Sequence, residues 1–234
     1  MTSVNHTLSS SNATPHAMPR AVTVIPARGG SKGIPRKNLV DLNGQPLIYY
    51  AITASLASGV DETWVSSEDE EILEVAASLG AGTLRRPDEL ATDTASSESA
   101  LLHFAEHVDF DRLVFLQATS PLVLAEDIDR AVALLDEYDS VLSVAEFTQF
   151  VWIDGVPNYD INHRRRRQDS APAYLETGSL FATTREALLR SRNRLSGRIG
   201  YCVVPKLRSY DVDSEDDLEV ARHLVPLVRP AGVR

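Results

Sequence analysis

The chain has 234 residues, 43% of them hydrophobic and 24% charged, enough for one α/β domain with a full core. A formal net charge of -10 argues against non-specific binding to nucleic acid or to an anionic membrane, so an anionic ligand must meet a local basic site. The single cysteine, Cys202, excludes an intrachain disulfide and suits a cytoplasmic setting, and no stretch approaches the ~20 apolar residues of a membrane span.

Residues 1–20 are rich in Ser, Thr, Asn, His and Pro and lack the apolar core of a secretory signal. They read as a disordered extension, with Met18 as an alternative start, ahead of a single domain over 21–234. Residues 21–26 form a buried-type strand that ends at Pro26. A glycine-rich basic loop follows, in which Arg28, Lys32, Arg36 and Lys37 fall within ten residues and Asp41 is the nearest acid. Apolar spacing predicts helices over 46–58, 69–79, 125–135 and 214–224, and another from the polar stretch 87–97 through His107. Ser214 caps the last helix, with Asp217 at N3. Strands are predicted over 63–65, 83–86, 113–117, 140–144 and 179–183. Cys202 lies in a further strand-like run and reads as a buried, inert thiol.

Strands alternating with helices imply an α/β fold, a mostly parallel sheet with helices on both faces. Such sheets bind ligands at the carboxyl ends of their strands. The basic loop, residues 117–121 and Asp211 all follow apolar strands and are expected to converge there. Residues 145–175, with Phe147, Phe150, Trp152, Ile153 and Tyr159, break the pattern and read as a hairpin insertion. An exposed aromatic hairpin of this kind suits a homodimer contact.

Glycines let a backbone approach phosphate oxygens, and lysine and arginine neutralise the charge. The basic loop therefore reads as a phosphate site. It is not a P-loop, because Gly33 rather than Ser or Thr follows Lys32; nor is it Gly-x-Gly-x-x-Gly, because Gly29 and Gly30 are adjacent. Asp211 and Asp213, two residues apart, suit a shared Mg²⁺ if the backbone bends locally, although Asp213 also precedes the helix cap. The arginine run 164–167 reads either as a solvated loop or as a grip on an acceptor carboxylate or product phosphate, within one subunit or across two. His103 and His107 bracket His-x-x-Glu-His, the inverted zinc-peptidase motif, which no other feature accompanies; two helix-surface histidines are the better account.

Ile25-Pro26-Ala27-Arg28-Gly29-Gly30-Ser31-Lys32-Gly33-Ile34-Pro35-Arg36-Lys37-Asn38 resembles the signature loop of the sialic-acid-type cytidylyltransferases, the CMP-N-acylneuraminate synthetases and their relatives. The resemblance continues through Arg86-Pro87-x-Glu89-Leu90-Ala91-x-Asp93-Thr94-Ala95-Ser96-Ser97, Leu116-Gln117-Ala118-Thr119-Ser120-Pro121-Leu122, Arg166-Arg167-Gln168-Asp169 and Asp211-Val212-Asp213, in order along almost the whole chain after residue 20. It implies a Rossmann-like three-layer nucleotidyltransferase fold with a small dimerisation insertion. It also implies transfer of CMP from CTP to a small acidic acceptor, with release of pyrophosphate.

On the same resemblance Arg28, Lys37 and Asp211 would be catalytic. CTP would meet Ala27, Arg28, Gly29, Gly30, Lys32, Lys37, Asn38, Arg86 and Ser97. The acceptor would meet Gln117, Thr119, Arg167, Gln168 and Thr177, and Mg²⁺ would be held by Asp211 and Asp213. The chain departs from the family at Glu176-Thr177-Gly178-Ser179, where many members read Asn-Gly, and at Ser66-Ser67-Glu68, where Ser-Thr-Asp is common. The acceptor is therefore open among sialic-, legionaminic- and pseudaminic-type sugar acids and a small phosphonate acid such as phosphonoformate. Transfer of another nucleotide such as GMP, and a nucleotide-binding regulator without catalysis, are the rival readings.

Overall fold

The structure, a computed structural model, describes residues 19–164, 166, 169 and 173–229. The expectations for residues 1–18 and for Arg167 and Gln168 lie outside the described residues. In chain order the elements begin with β1 (Ala21–Pro26), β2 (Asp41–Leu42), β3 (Gln45–Pro46), α1 (Ile48–Leu56), β4 (Glu62–Ser67) and α2 (Glu70–Ser78). Next come β5 (Gly82–Arg85), α3 (Ser97–His107), β6 (Arg112–Leu116), α4 (Ala125–Leu134), β7 (Ser140–Phe147), β8 (Trp152–Ile153) and β9 (Val156–Pro157). The chain continues through β10 (Ala173–Thr184), α5 (Arg185–Ser191), β11 (Ile199–Val204) and α6 (Glu215–Val228).

Seven strands make one sheet in the order β11-β7-β10-β6-β1-β4-β5. The β11-β7, β6-β1, β1-β4 and β4-β5 pairs are parallel. Strand β10 departs from the expected pattern. It is longer than the predicted 179–183 and runs antiparallel to both neighbours, with an irregularity between Glu176 and Phe181. Its first residues, Ala173 to Glu176, pair back onto the far half of β7, so the 145–175 insertion is the wide loop of a hairpin built on these two strands. Inside it β8 and β9 form a small hairpin around Asp154 and Gly155, both at positive φ (49° and 78°), the conformation that a tight Asp-Gly turn requires.

Side-chain alternation along the strands builds the layers. Val22 and Val24 of β1 join Leu113, Phe115, Leu142 and Phe181 under Leu101 and Phe104 of α3 and Leu188 of α5. Ile25, Val65, Val114, Val141 and Cys202 face the other way, against Ala51 and Ile52 of α1, Ile72 and Ala76 of α2 and Ile128 of α4. The result is a three-layer α/β fold with both sheet faces covered, as the alternating pattern implied. Burial raises the pKa of the fully covered Cys202 thiol, which keeps it protonated and inert. The third cluster holds α6, through Leu218, Ala221 and Val225, on Ile34, Leu42 and Leu47. Ser214 and Asp217 form the expected capping box of α6. Helix α5, not foreseen from the sequence, is started by Thr184, whose hydroxyl accepts from the Ala187 N–H.

The fold reaches back to Arg20, whose N–H donates to Asp111 at 2.7 Å and whose guanidinium pairs with Glu62. Because β1, β4, β5, β6, β7 and β11 all run one way, the segments after β1, β4, β5 and β6 open at one edge of the sheet, where β10 begins. The Val212 N–H donates to the Thr119 carbonyl at 2.9 Å, which ties residues 211–213 to the turn after β6.

Candidate active site

The carboxyl edge carries a cleft of about 410 Å³. Its walls include Arg28, Gly30, Lys37 and Asn38 from the basic loop, Arg86 to Ser97 in part, Gln117 and Thr119 after β6, and Asp211 and Asp213. Of the residues expected to meet CTP, Arg28, Gly30, Lys37, Asn38, Arg86 and Ser97 line the cleft; of those expected to meet the acceptor, Gln117 and Thr119 do.

The basic loop splits its charges. Arg28 and Lys37 face the cleft, while Arg36, at φ 55°, turns to the opposite side. There Arg36 pairs with Asp69 and Glu71, each at 2.5 Å. Burial opposes ionisation of Asp69, but its hydrogen bonds to Arg36 and to the Ile72 N–H outweigh that and hold its pKa below the usual carboxylate value. Arg36 is thus a strut between the loop and the start of α2, not a phosphate-facing cation.

Close approaches explain two of the glycines. A Cβ on Gly29 would lie 2.3 Å from Asp69 Oδ2, and one on Gly33 would lie 2.4 Å from the Asp213 carbonyl oxygen. Gly29 stands behind the cleft, its N–H donating to Glu68 Oε1 at 2.7 Å. Ala27 is buried under the loop, and its carbonyl accepts from Arg86. Lys32 reaches over the cleft rim to Asp93 at 3.0 Å.

Acids meet the remaining cations. Asp93 accepts from Arg28 at 2.5 Å as well as from Lys32, and these hydrogen bonds lower its pKa. Lys37 Nζ donates to Asp213 Oδ1 at 2.8 Å, and Ser120 Oγ donates to Asp211 Oδ1 at 3.0 Å. Each aspartate thereby keeps a second carboxylate oxygen for another partner at the cleft. Asp93, Phe115 and Glu68, the last behind the wall, belong to the site; Asp93 falls in a family block and Glu68 at a departure from the family, but the sequence assigned none of the three a role there.

Among the described residues, two cleft-lining side chains keep polar atoms without a hydrogen-bond partner. Asn38 donates through Nδ2 to the Arg28 carbonyl at 2.9 Å, and its Oδ1 has no partner. Arg86 is 5% exposed and its Nε is without a partner. Burial lowers the Arg86 pKa, against the pull of Glu68. A buried acceptor and a buried donor of this kind carry a desolvation cost of about 1–3 kcal/mol each until a ligand satisfies them.

Thr177 lies outside the cleft lining. Its hydroxyl is shared with Ser143 at 2.6 Å and Ser179 at 2.8 Å, while the Ser179 carbonyl accepts from the Gln117 N–H at 3.0 Å. Thr177 therefore supports the backbone beside Gln117. His103 and His107 share one side of α3 with ring centroids 4.4 Å apart, and His107 Nδ1 bonds to the His103 carbonyl at 2.8 Å. Among the described residues no group of three or more His, Cys, Asp or Glu side chains is gathered to hold a metal.

The sequence model of a family described as Cytidylyltransferase matches residues 22–222. The chain belongs to this cytidylyltransferase family. It is 37% identical to N-acylneuraminate cytidylyltransferase B of Danio rerio over 88% of its own length and 51% of that protein's. It is 35% identical to the pseudaminic acid cytidylyltransferase of Campylobacter jejuni over 86% of its own length and 94% of that protein's. The cytidylyltransferase chain thus spans about half the length of several curated relatives and nearly all of others. In structure it is similar to a CMP:2-keto-3-deoxy-manno-octonic acid synthetase complexed with CTP, with a TM-score of 0.72 at 21% identity, covering 89% of this chain and 99% of that one. That likeness confirms the Rossmann-like nucleotidyltransferase fold of this cytidylyltransferase.

Proposed function

We propose that the chain transfers CMP from CTP to a nonulosonic sugar acid, of the sialic or pseudaminic type, and releases pyrophosphate. The observation that carries this reading is that one cleft is lined both by the cations Arg28 and Lys37 and by Asn38 and Arg86, whose Oδ1 and Nε are unpartnered among the described residues. A triphosphate suits the cations, and a base that offers both donors and acceptors, as cytosine does, suits the unpartnered acceptor and donor. The acceptors named for the relatives are sugar acids, and they give no support to the phosphonate alternative.

In this reading an acceptor oxygen attacks the α-phosphorus of CTP, the bond from that phosphorus to the bridging oxygen breaks, and pyrophosphate leaves. Such transfer depends on positioning and charge neutralisation more than on a covalent nucleophile. Arg28 and Lys37 would turn from Asp93 and Asp213 to the phosphates, with Lys37 offsetting charge that develops in the transition state. Gln117 and Thr119, which line the same cleft, would orient the acceptor. The free carboxylate oxygens of Asp211 and Asp213 fit Mg²⁺, which takes one or two carboxylates together with substrate phosphates rather than a full protein cage. When bound there, the ion would supply further neutralisation of the triphosphate.

The same reading includes a cytoplasmic homodimer. Trp152, Ile153 and Val156 on the β8–β9 hairpin are 58%, 64% and 65% exposed, an apolar surface that a second copy would cover. No helix among the described residues is long and apolar enough to cross a membrane. The test of the reaction is a panel of acceptors, sialic, legionaminic and pseudaminic acids and a simple 2-keto acid, each assayed for pyrophosphate release with CTP and Mg²⁺. Release with a nonulosonic acid and not with the simple acid supports the reading. No release with any sugar acid, in a protein that still binds CTP, would favour a regulator.

A further inference from the structure

Glu68 follows β4 and stands behind the cleft wall, with its side chain 18% exposed. Its two oxygens meet two different segments of the chain, the basic loop and Arg86. Oε1 accepts from the Gly29 N–H at 2.7 Å, and Oε2 faces Arg86 Nη2 at 3.4 Å. Gly29 adjoins the cleft-facing Arg28, and Arg86, whose Nε is unpartnered among the described residues, lines the same cleft as Asn38. Arg86 Nη2 also donates to the Ala27 carbonyl at 3.4 Å, so the guanidinium meets the chain directly two residues before Gly29. Among the described residues Glu68 is the only carboxylate within ion-pair distance of Arg86, which is almost fully buried.

We propose that Glu68 is a positioning residue that couples the two halves of the nucleotide site, holding the phosphate loop with one oxygen and the base-side arginine with the other. The inference rests on the nucleotide reading above and goes beyond it, because Glu68 is outside the cleft lining. A carboxylate satisfies both contacts at once, since both its oxygens accept. A glutamine of the same shape satisfies only one. Its carbonyl would go to the Gly29 N–H, and its NH₂ would then face the Arg86 guanidinium donor to donor. Arg86 would lose its anchoring charge while the loop kept its acceptor. The base half of the site should therefore loosen while the phosphate half stays in place.

Glu68→Gln and Glu68→Asp separate these effects when each is titrated with CTP and with inorganic tripolyphosphate, alongside thermal unfolding. In Glu68→Gln the Kd for CTP should rise about tenfold, the size expected for losing one charge-assisted contact, while the Kd for tripolyphosphate stays within about twofold. Glu68→Asp, which keeps the charge, should bring the CTP Kd back to within about threefold of the parent protein. Equal weakening of both ligands in Glu68→Gln, or no change in either, overturns the coupling role. Failure of Glu68→Asp to recover any CTP affinity, with its unfolding temperature unchanged, overturns it as well. A parent protein that binds tripolyphosphate but prefers no nucleotide overturns the underlying nucleotide reading instead, and the inference falls with it.

Discussion

The roles of the charged residues in this site are set by which acid each one meets. Arg28 and Arg36 are eight positions apart in one loop, yet Arg28 faces the cleft and Arg36 is bound to Asp69 and Glu71 behind it. Those acids lie more than thirty residues further along the chain, so nothing local in the sequence separates the two arginines. Asp211 differs from Asp213 in the same way: its partner is the neutral Ser120, whereas Asp213 pairs with Lys37. Replacing Asp211 therefore strands no charged partner. In Asp211→Ala, kcat should fall about 100-fold or more through lost stabilisation of the reacting phosphates, with an unfolding temperature within a few degrees of the parent protein. An unchanged kcat would remove Asp211 from the reaction.

At the scale of elements, much of the fold was legible because each long element carries one clear period. The buried run of β1, the amphipathic α2 and the apolar centre of β6 all lie where their spacing predicted. The direction of β10 was not legible. A strand buried on both faces has the same composition whether its neighbours are parallel or antiparallel, and only the pairing with β7 and β6 decides. Helix α5 follows β10 with no Gly or Pro between them, so the change of period is hidden. The separate blocks of the site were visible as motifs. The contacts that bring them to one edge were not, since the bond from Val212 to Thr119 joins backbone atoms that carry no sequence signal. Gly33 is the element-scale test. A methyl there must displace the Asp213 carbonyl, and with it either the loop or the 211–213 segment. Shifts of this size cost on the order of 100-fold in rate, so Gly33→Ala should lose activity to that extent while its far-ultraviolet circular dichroism stays that of the parent. Full activity would show that the segment gives way without consequence.

For the molecule as a whole, the formal net charge of -10 disfavours anion binding away from a local basic site, and the apolar hairpin at residues 152–157 offers a second kind of contact. A homodimer would sediment at twice the 25.6 kDa of the chain. In Trp152→Glu a charge placed on that exposed hairpin should shift the protein toward the single-chain mass at micromolar concentration, and an unchanged dimer would place the interface elsewhere. The central claim, transfer of CMP from CTP to a nonulosonic acid, is tested most directly by mass spectrometry of the products. With CTP, Mg²⁺ and sialic or pseudaminic acid, the account predicts a CMP-linked sugar acid formed in step with one pyrophosphate. CTP left intact with every nonulosonic acid, or consumed to CMP with no linked product, would contradict it.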